Sequence, residues 1–133
     1  MSKRDVVYPK KPHALYDLHR YSPAVKANGL LFVSGQVGAR ENGEPETDYE
    51  DEVRLAFTNL NEVLAAAGCT FDDVADVTLF MIDPQQRLDS ALRVLGEFWG
   101  EKPYPTITAV GVTWLAGFRF EIKVVAKLPE VLL

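Results

Sequence analysis

The sequence predicts an α+β domain in which two helices pack on one face of a β-sheet. Two stretches carry apolar residues at helical spacing, and the runs around them are β-branched or aromatic and bounded by turn residues. Their order is strands, helix, strand, helix, strands. At 133 residues, without internal repeats or a linker, the chain reads as one domain over 1–133.

Asn28-Gly29 is a strong turn signal, so Ala24–Ala27 and Leu30–Gly35 read as a β-hairpin. Glu41–Thr47, with Asn-Gly and Pro, reads as a loop. Thr47-Asp48-Tyr49-Glu50 has capping-box spacing. Val53, Ala56, Phe57, Leu60, Val63, Leu64 and Ala67 follow as one face of a helix, with Gly68 at its C-terminal cap. Val74–Ile82 is apolar and β-branched, a strand expected to be buried on both sides. Asp83 as N-cap and Pro84 at the first position open the second helix. Its stripe is Leu88, Ala91, Leu92, Leu95, Phe98 and Trp99, and Gly100 ends it. Strands at Ile107–Val112 and Phe118–Leu128 complete the sheet. Two helices cannot cover both faces, and Leu30–Val33 and Val77–Ile82 are apolar at consecutive positions. A symmetric oligomer is the economical cover for the second face.

Composition narrows the function. The formal charge is −5 and the lysines and arginines are scattered, whereas nucleic-acid binders usually show a basic stripe. No nucleic-acid partner is expected. No apolar run reaches the roughly 20 residues of a membrane span, and the polar N-terminus resembles no signal peptide. The single cysteine, Cys69, forms no internal disulfide, so the expected compartment is the reducing cytoplasm. The two histidines, His13 and His19, and Cys69 show no zinc spacing, and no phosphate-cradling glycine loop is present, so neither metal nor cofactor is expected.

Several segments together resemble the RidA family (reactive intermediate deaminase; YjgF-like, or endoribonuclease L-PSP). They are Tyr21-Ser22-Pro23-Ala24-Val25, Leu31-Phe32-Val33-Ser34-Gly35-Gln36, Leu64-Ala65-Ala66-Ala67-Gly68 and Asp73-Val74-Ala75-Asp76-Val77-Thr78. Phe98-Trp99-Gly100 and Phe120-Glu121-Ile122-Lys123-Val124-Val125-Ala126 follow in the family's order, so the likeness spans about 21–129. His13-Ala14-Leu15-Tyr16 and Gly111-Val112-Thr113-Trp114-Leu115-Ala116-Gly117 look most like the YjgH-type branch. The resemblance implies a chorismate-mutase-like fold and a homotrimer with small-molecule pockets at subunit boundaries.

It also implies a departure. Active RidA proteins grip the substrate carboxylate with an arginine on the strand after the second helix. A planar guanidinium suits that task because it gives two parallel charge-assisted hydrogen bonds. Here Ile107 stands at that position, followed by Thr108 and Ala109, and Leu92 replaces a pocket asparagine. The resemblance retains a water-positioning glutamate as Glu121 and a pocket tyrosine as Tyr21. From its own surroundings alone Glu121 reads rather as a solvated carboxylate between Arg119 and Lys123, cations that would favour its ionised form if close, and the family position turns the preference to the pocket role. Ser34 and Gly35 read either as ligand-facing groups or as a strand end needing small residues. His19 and Arg20 are candidates for a replacement cation against the plainer reading of a solvated loop. Trp114 and Tyr104 read as packing residues or pocket walls.

Three functions stand open. One is hydrolysis of a reactive imine, enamine or related C–N compound. The second is metabolite binding without catalysis. The third, ribonuclease activity, is weakest in an acidic chain without paired histidines. A lost charged hydrogen bond of about 1.5–3 kcal/mol, with desolvation of the substrate carboxylate, makes the standard 2-imino acids poor substrates.

Overall fold

The computed structural model describes residues 3–130. A six-strand path runs β1 (Asp5–Val7), β2 (Ala24–Ala27), β3 (Leu30–Val33), β7 (Phe120–Lys127), β5 (Val74–Met81) and β6 (Thr106–Gly111). The short β4 (Gln36–Val37) continues β3 along β7. Pairing is antiparallel except between β5 and β6, which are joined by a crossover helix. The main helices are α2 (Tyr49–Ala66) and α3 (Pro84–Phe98), and a single-turn helix α1 (Leu15–His19) precedes β2. The expected α+β fold is present, a mixed sheet with two main helices. No helix of the described residues is long and apolar enough to cross a membrane.

Local chemistry explains the elements. Asn28 and Gly29 both have positive φ (51° and 78°), which matches the twist of a two-residue hairpin. The N-cap of α2 is Asp48, whose side chain accepts from the Asp51 amide, so the cap falls one residue beyond Thr47. At its other end the Gly68 amide donates to the Ala65 carbonyl and that of Cys69 to the Leu64 carbonyl, with Gly68 at φ 77°. That is the Schellman arrangement, and it needs the glycine. Pro84 opens α3 as expected, but Asp83 sits in the left-handed region and makes no side-chain cap.

The core lies between the helices and one sheet face. Phe57 of α2 stacks on Phe98 and Phe120 and meets Trp99 edge-on. Arg54 with Glu97, and Arg93 with Glu50, tie α2 to α3 at the rim. Along β7, Phe120, Ile122, Val124 and Ala126 enter the core, and Glu121, Lys123 and Val125 point to the opposite face.

The strand expected to be buried on both sides is buried on one. Val77, Leu79 and Met81 of β5 are in the core, while Thr78 and Phe80 are half-buried on the open face. Phe32 of β3 is 44% exposed there. Every residue of β6 is exposed.

Candidate functional site

The β3–β4 junction shapes the site. Phe32 lies opposite Val125 and Gln36 opposite Ile122, so Val33, Ser34 and Gly35 face only Lys123 and Val124. One extra residue on this edge makes a β-bulge, a device that re-aims side chains. Lys123 reaches across it, its Nζ donating to the Val33 carbonyl at 3.1 Å. Ser34 Oγ donates to the Ser22 carbonyl at 2.6 Å, and the Ser34 amide to the Pro23 carbonyl. The Ser34 carbonyl accepts from Gln36 Nε2, and Gln36 Oε1 accepts from the Tyr16 hydroxyl.

Glu121 rests against this bulge. A Cβ on Gly35 would lie 2.3 Å from Glu121 Oε2, so only glycine leaves the carboxylate where it lies. The φ of Gly35 is not positive, so close approach rather than a turn conformation explains the residue. Glu121 makes no hydrogen bond or ion pair among the described residues. Burial pushes its carboxyl above the usual carboxylate range, and Lys123 partly opposes the shift. Tyr21 stands close enough to interact with Glu121, and its hydroxyl is pushed up to about 12, chiefly by burial. Its ring meets Tyr16 edge-on at 5.0 Å, and Tyr16 in turn stacks on His13.

Arg119 does not share the side of Glu121 that its sequence position suggests. Arg119 lies just before β7 and turns toward α2, where its Nε donates to the fully buried Glu52 at 2.7 Å. Its backbone amide donates to the same carboxylate. That strand-end turn removes the cation from Glu121 altogether.

A second group of site residues lies elsewhere. Ile107 and Ala109 pair with Val77 and Leu79, so they share the helix side of the sheet. Ile107 (49% exposed) and Leu92 (43% exposed) face an open groove of ≈470 Å³. Leu95, Trp99, Tyr104 and Pro105 complete its walls. Thr108 pairs with Thr78, on the Glu121 side. Trp114 follows β6 at 74% exposure and Tyr104 is also exposed, so neither is a packing residue of this chain. His19 and Arg20 are exposed as well.

Ser34, Gly35, Tyr21 and Glu121 therefore gather on the open side, while Leu92, Ile107 and Ala109 stand on the helix side. Two strand spacings, roughly 10 Å, and the thickness of the sheet separate the groups. Sequence reasoning missed Gln36 and Tyr16, which hold the bulge. The signal was a glutamine between Gly35 and Val37 in an otherwise apolar strand. No group of three or more metal-ligating side chains is assembled among the described residues.

The profile of the Endoribonuclease L-PSP family matches residues 11–128. The chain belongs to this family, that of the RidA and YjgF proteins. It is 57% identical over 130 residues to the RutC family protein YjgH of Escherichia coli, covering 98% of this chain and 99% of that one. A solved structure of protein YjgH superposes with a TM-score of 0.94 at 56% identity, covering 98% and 100% of the two chains. The 2-iminobutanoate/2-iminopropanoate deaminase of Dermatophagoides farinae is 32% identical over 106 residues, covering 78% of this chain and 81% of that one.

Proposed function

We propose that this protein is a homotrimer, housed in a reducing compartment, whose subunit boundaries hold a small-molecule pocket where Glu121 directs water at a C=N carbon. The observation that carries this reading is the Glu121 carboxylate. It is half-buried, pressed against Gly35 and bonded to neither flanking cation. A half-buried carboxylate that no hydrogen bond satisfies gains little in a purely structural role, and perturbed groups of this kind concentrate at functional sites. A carboxylate so placed accepts a hydrogen bond from water and aligns it for attack.

The separation of the two residue groups supports an inter-subunit pocket. A small ligand cannot reach Glu121 and Ile107 of one chain, but it can bridge Glu121 of one copy and the Ile107 groove of another. In that pocket Ser34 acts chiefly by positioning the bulge, since its hydroxyl proton is used by Ser22. The activity named for the Dermatophagoides farinae relative, on 2-iminobutanoate and 2-iminopropanoate, fits this chain poorly. Ile107 offers no guanidinium, and the charged hydrogen bond so lost is worth about 1.5–3 kcal/mol. The apolar character of Ile107 and Leu92 favours a second reading, ligand binding without turnover.

The test is ammonia release from small imines generated in situ, with wild type beside Glu121→Gln. Catalysis predicts a fall on the order of a hundredfold in the variant. In wild type the rate should climb as Glu121 ionises, with a midpoint above the ordinary 4.5 because the folded carboxyl is shifted upward. No acceleration of any imine by wild type selects the binding-only reading.

A further inference from the structure

The two half-sites differ in character. Glu121 contributes a carboxylate that makes no hydrogen bond or ion pair among the described residues. Of the cations near it in sequence, Lys123 keeps its charge but aims its ammonium at the Val33 carbonyl rather than at the carboxylate, and Arg119 is held by Glu52. The groove around Ile107 has no charged side chain in its lining. A substrate carboxylate entering such a site would meet a like charge and an apolar wall. A cation would meet the reverse.

Resting on the reading that Glu121 and the Ile107 groove meet across a subunit boundary, we propose that the substrate is a protonated imine derived from an amine. It is positive at nitrogen, apolar on its carbon substituent and free of any carboxylate. The substituent lies in the groove of Leu92, Leu95, Trp99, Tyr104 and Ile107, and the iminium faces Glu121. Burial raises the Glu121 carboxyl, and a neighbouring cation holds it ionised, so substrate and base support each other's charge.

The chemistry balances without a cofactor. Glu121 takes a proton from water as the water oxygen bonds to the iminium carbon, and the C=N π pair moves to nitrogen. Protonated Glu121 then returns that proton to the amine of the carbinolamine. The C–N bond breaks, and the hydroxyl proton leaves with the departing ammonia. The sum is R₂C=NH₂⁺ + H₂O → R₂C=O + NH₄⁺. The reaction supplying such a substrate is oxidation of a primary amine, and the product is an aldehyde or ketone.

Benzamidine and benzoate are planar, of similar size and opposite in charge, which makes them suitable probes. Calorimetry on the full chain should show benzamidine binding on the order of tenfold tighter than benzoate, the effect of one charged contact. Glu121→Gln should erase that preference, and Ile107→Arg should turn it toward benzoate. Equal or tighter benzoate binding in wild type, or binding of neither probe, overturns the proposal. A kinetic arm compares the imine released by an amine oxidase from benzylamine with that released by an amino-acid oxidase from phenylglycine. Faster ammonia release from the benzylamine imine, dependent on Glu121, supports the proposal. Glu121-dependent acceleration confined to the phenylglycine imine overturns the substrate class and leaves the Glu121 site standing. Hydrolysis by Glu121→Gln at the wild-type rate removes the site itself.

Discussion

A Cβ on Gly35 would lie 2.3 Å from Glu121 Oε2, and one on Gly38 would lie 2.2 Å from the Glu52 carbonyl oxygen. The two clashes differ in kind. Glu121 can swing its carboxylate aside at a rotamer cost of about 1 kcal/mol, whereas the Glu52 carbonyl belongs to the first turn of α2 and cannot move alone. Gly35→Ala should therefore melt within a few degrees of wild type while losing Glu121-dependent binding or turnover. Gly38→Ala should lose about 2–3 kcal/mol, as overpacked sites do. Thermal melts beside an activity or ligand titration separate the two, and a strongly destabilised Gly35→Ala would contradict this account. Neither reason was visible in the sequence. A short glycine-bearing motif there suggests a turn or a ligand loop, while the actual constraints come from side and main chain brought in by β7 and α2.

At the scale of elements, periodicity was a good guide wherever a segment is long and half-buried. The hairpin at Asn28-Gly29, both main helices, β5, β6 and β7 follow it. β1, β4 and α1 are three, two and five residues long, too short to show a period. The stripe of α3 included Leu92, which lies at the edge of the packed face and lines the groove instead. The start of α2 was misplaced by one residue because Thr47 and Asp48 both have capping chemistry, and only geometry decides between them. That decision is testable. Asp48→Ala should cost about 1 kcal/mol through loss of the bond to the Asp51 amide, with Thr47→Ala nearly neutral. Chemical denaturation of both variants gives the answer, and the opposite ranking would place the cap at Thr47.

For the whole molecule, the grouping of Glu121 with Tyr21, Ser34 and Gly35 was legible in the sequence, but its separation from Ile107 and Leu92 was not. Alternation along β6 and β7 sends Ile107 and Glu121 to opposite faces of the sheet, so no single chain unites them. The same geometry leaves an apolar surface that wants a cover. Phe32, Phe80 and Val125 lie on the open face, and Val110 is 38% exposed on β6, the strand at the sheet's end whose outer side pairs with no strand of the described residues. Long apolar edges of this type invite pairing, and closed rings of identical copies are a common way to satisfy them. Light scattering coupled to size exclusion at micromolar concentration should give three times the 14.8 kDa chain mass. Val110→Lys, which sets a charge on the open face beside Phe80, should weaken assembly on the order of tenfold or more. It should also abolish ligand binding, although Glu121 and its bulge are untouched within each chain. Circular dichroism on the same sample checks that the chain remains folded. A folded Val110→Lys monomer with wild-type ligand affinity would confine the site to one chain and remove the argument for a boundary pocket. A monomeric wild type that binds ligand would do so as well, and would leave the apolar open face without the partner that its composition demands.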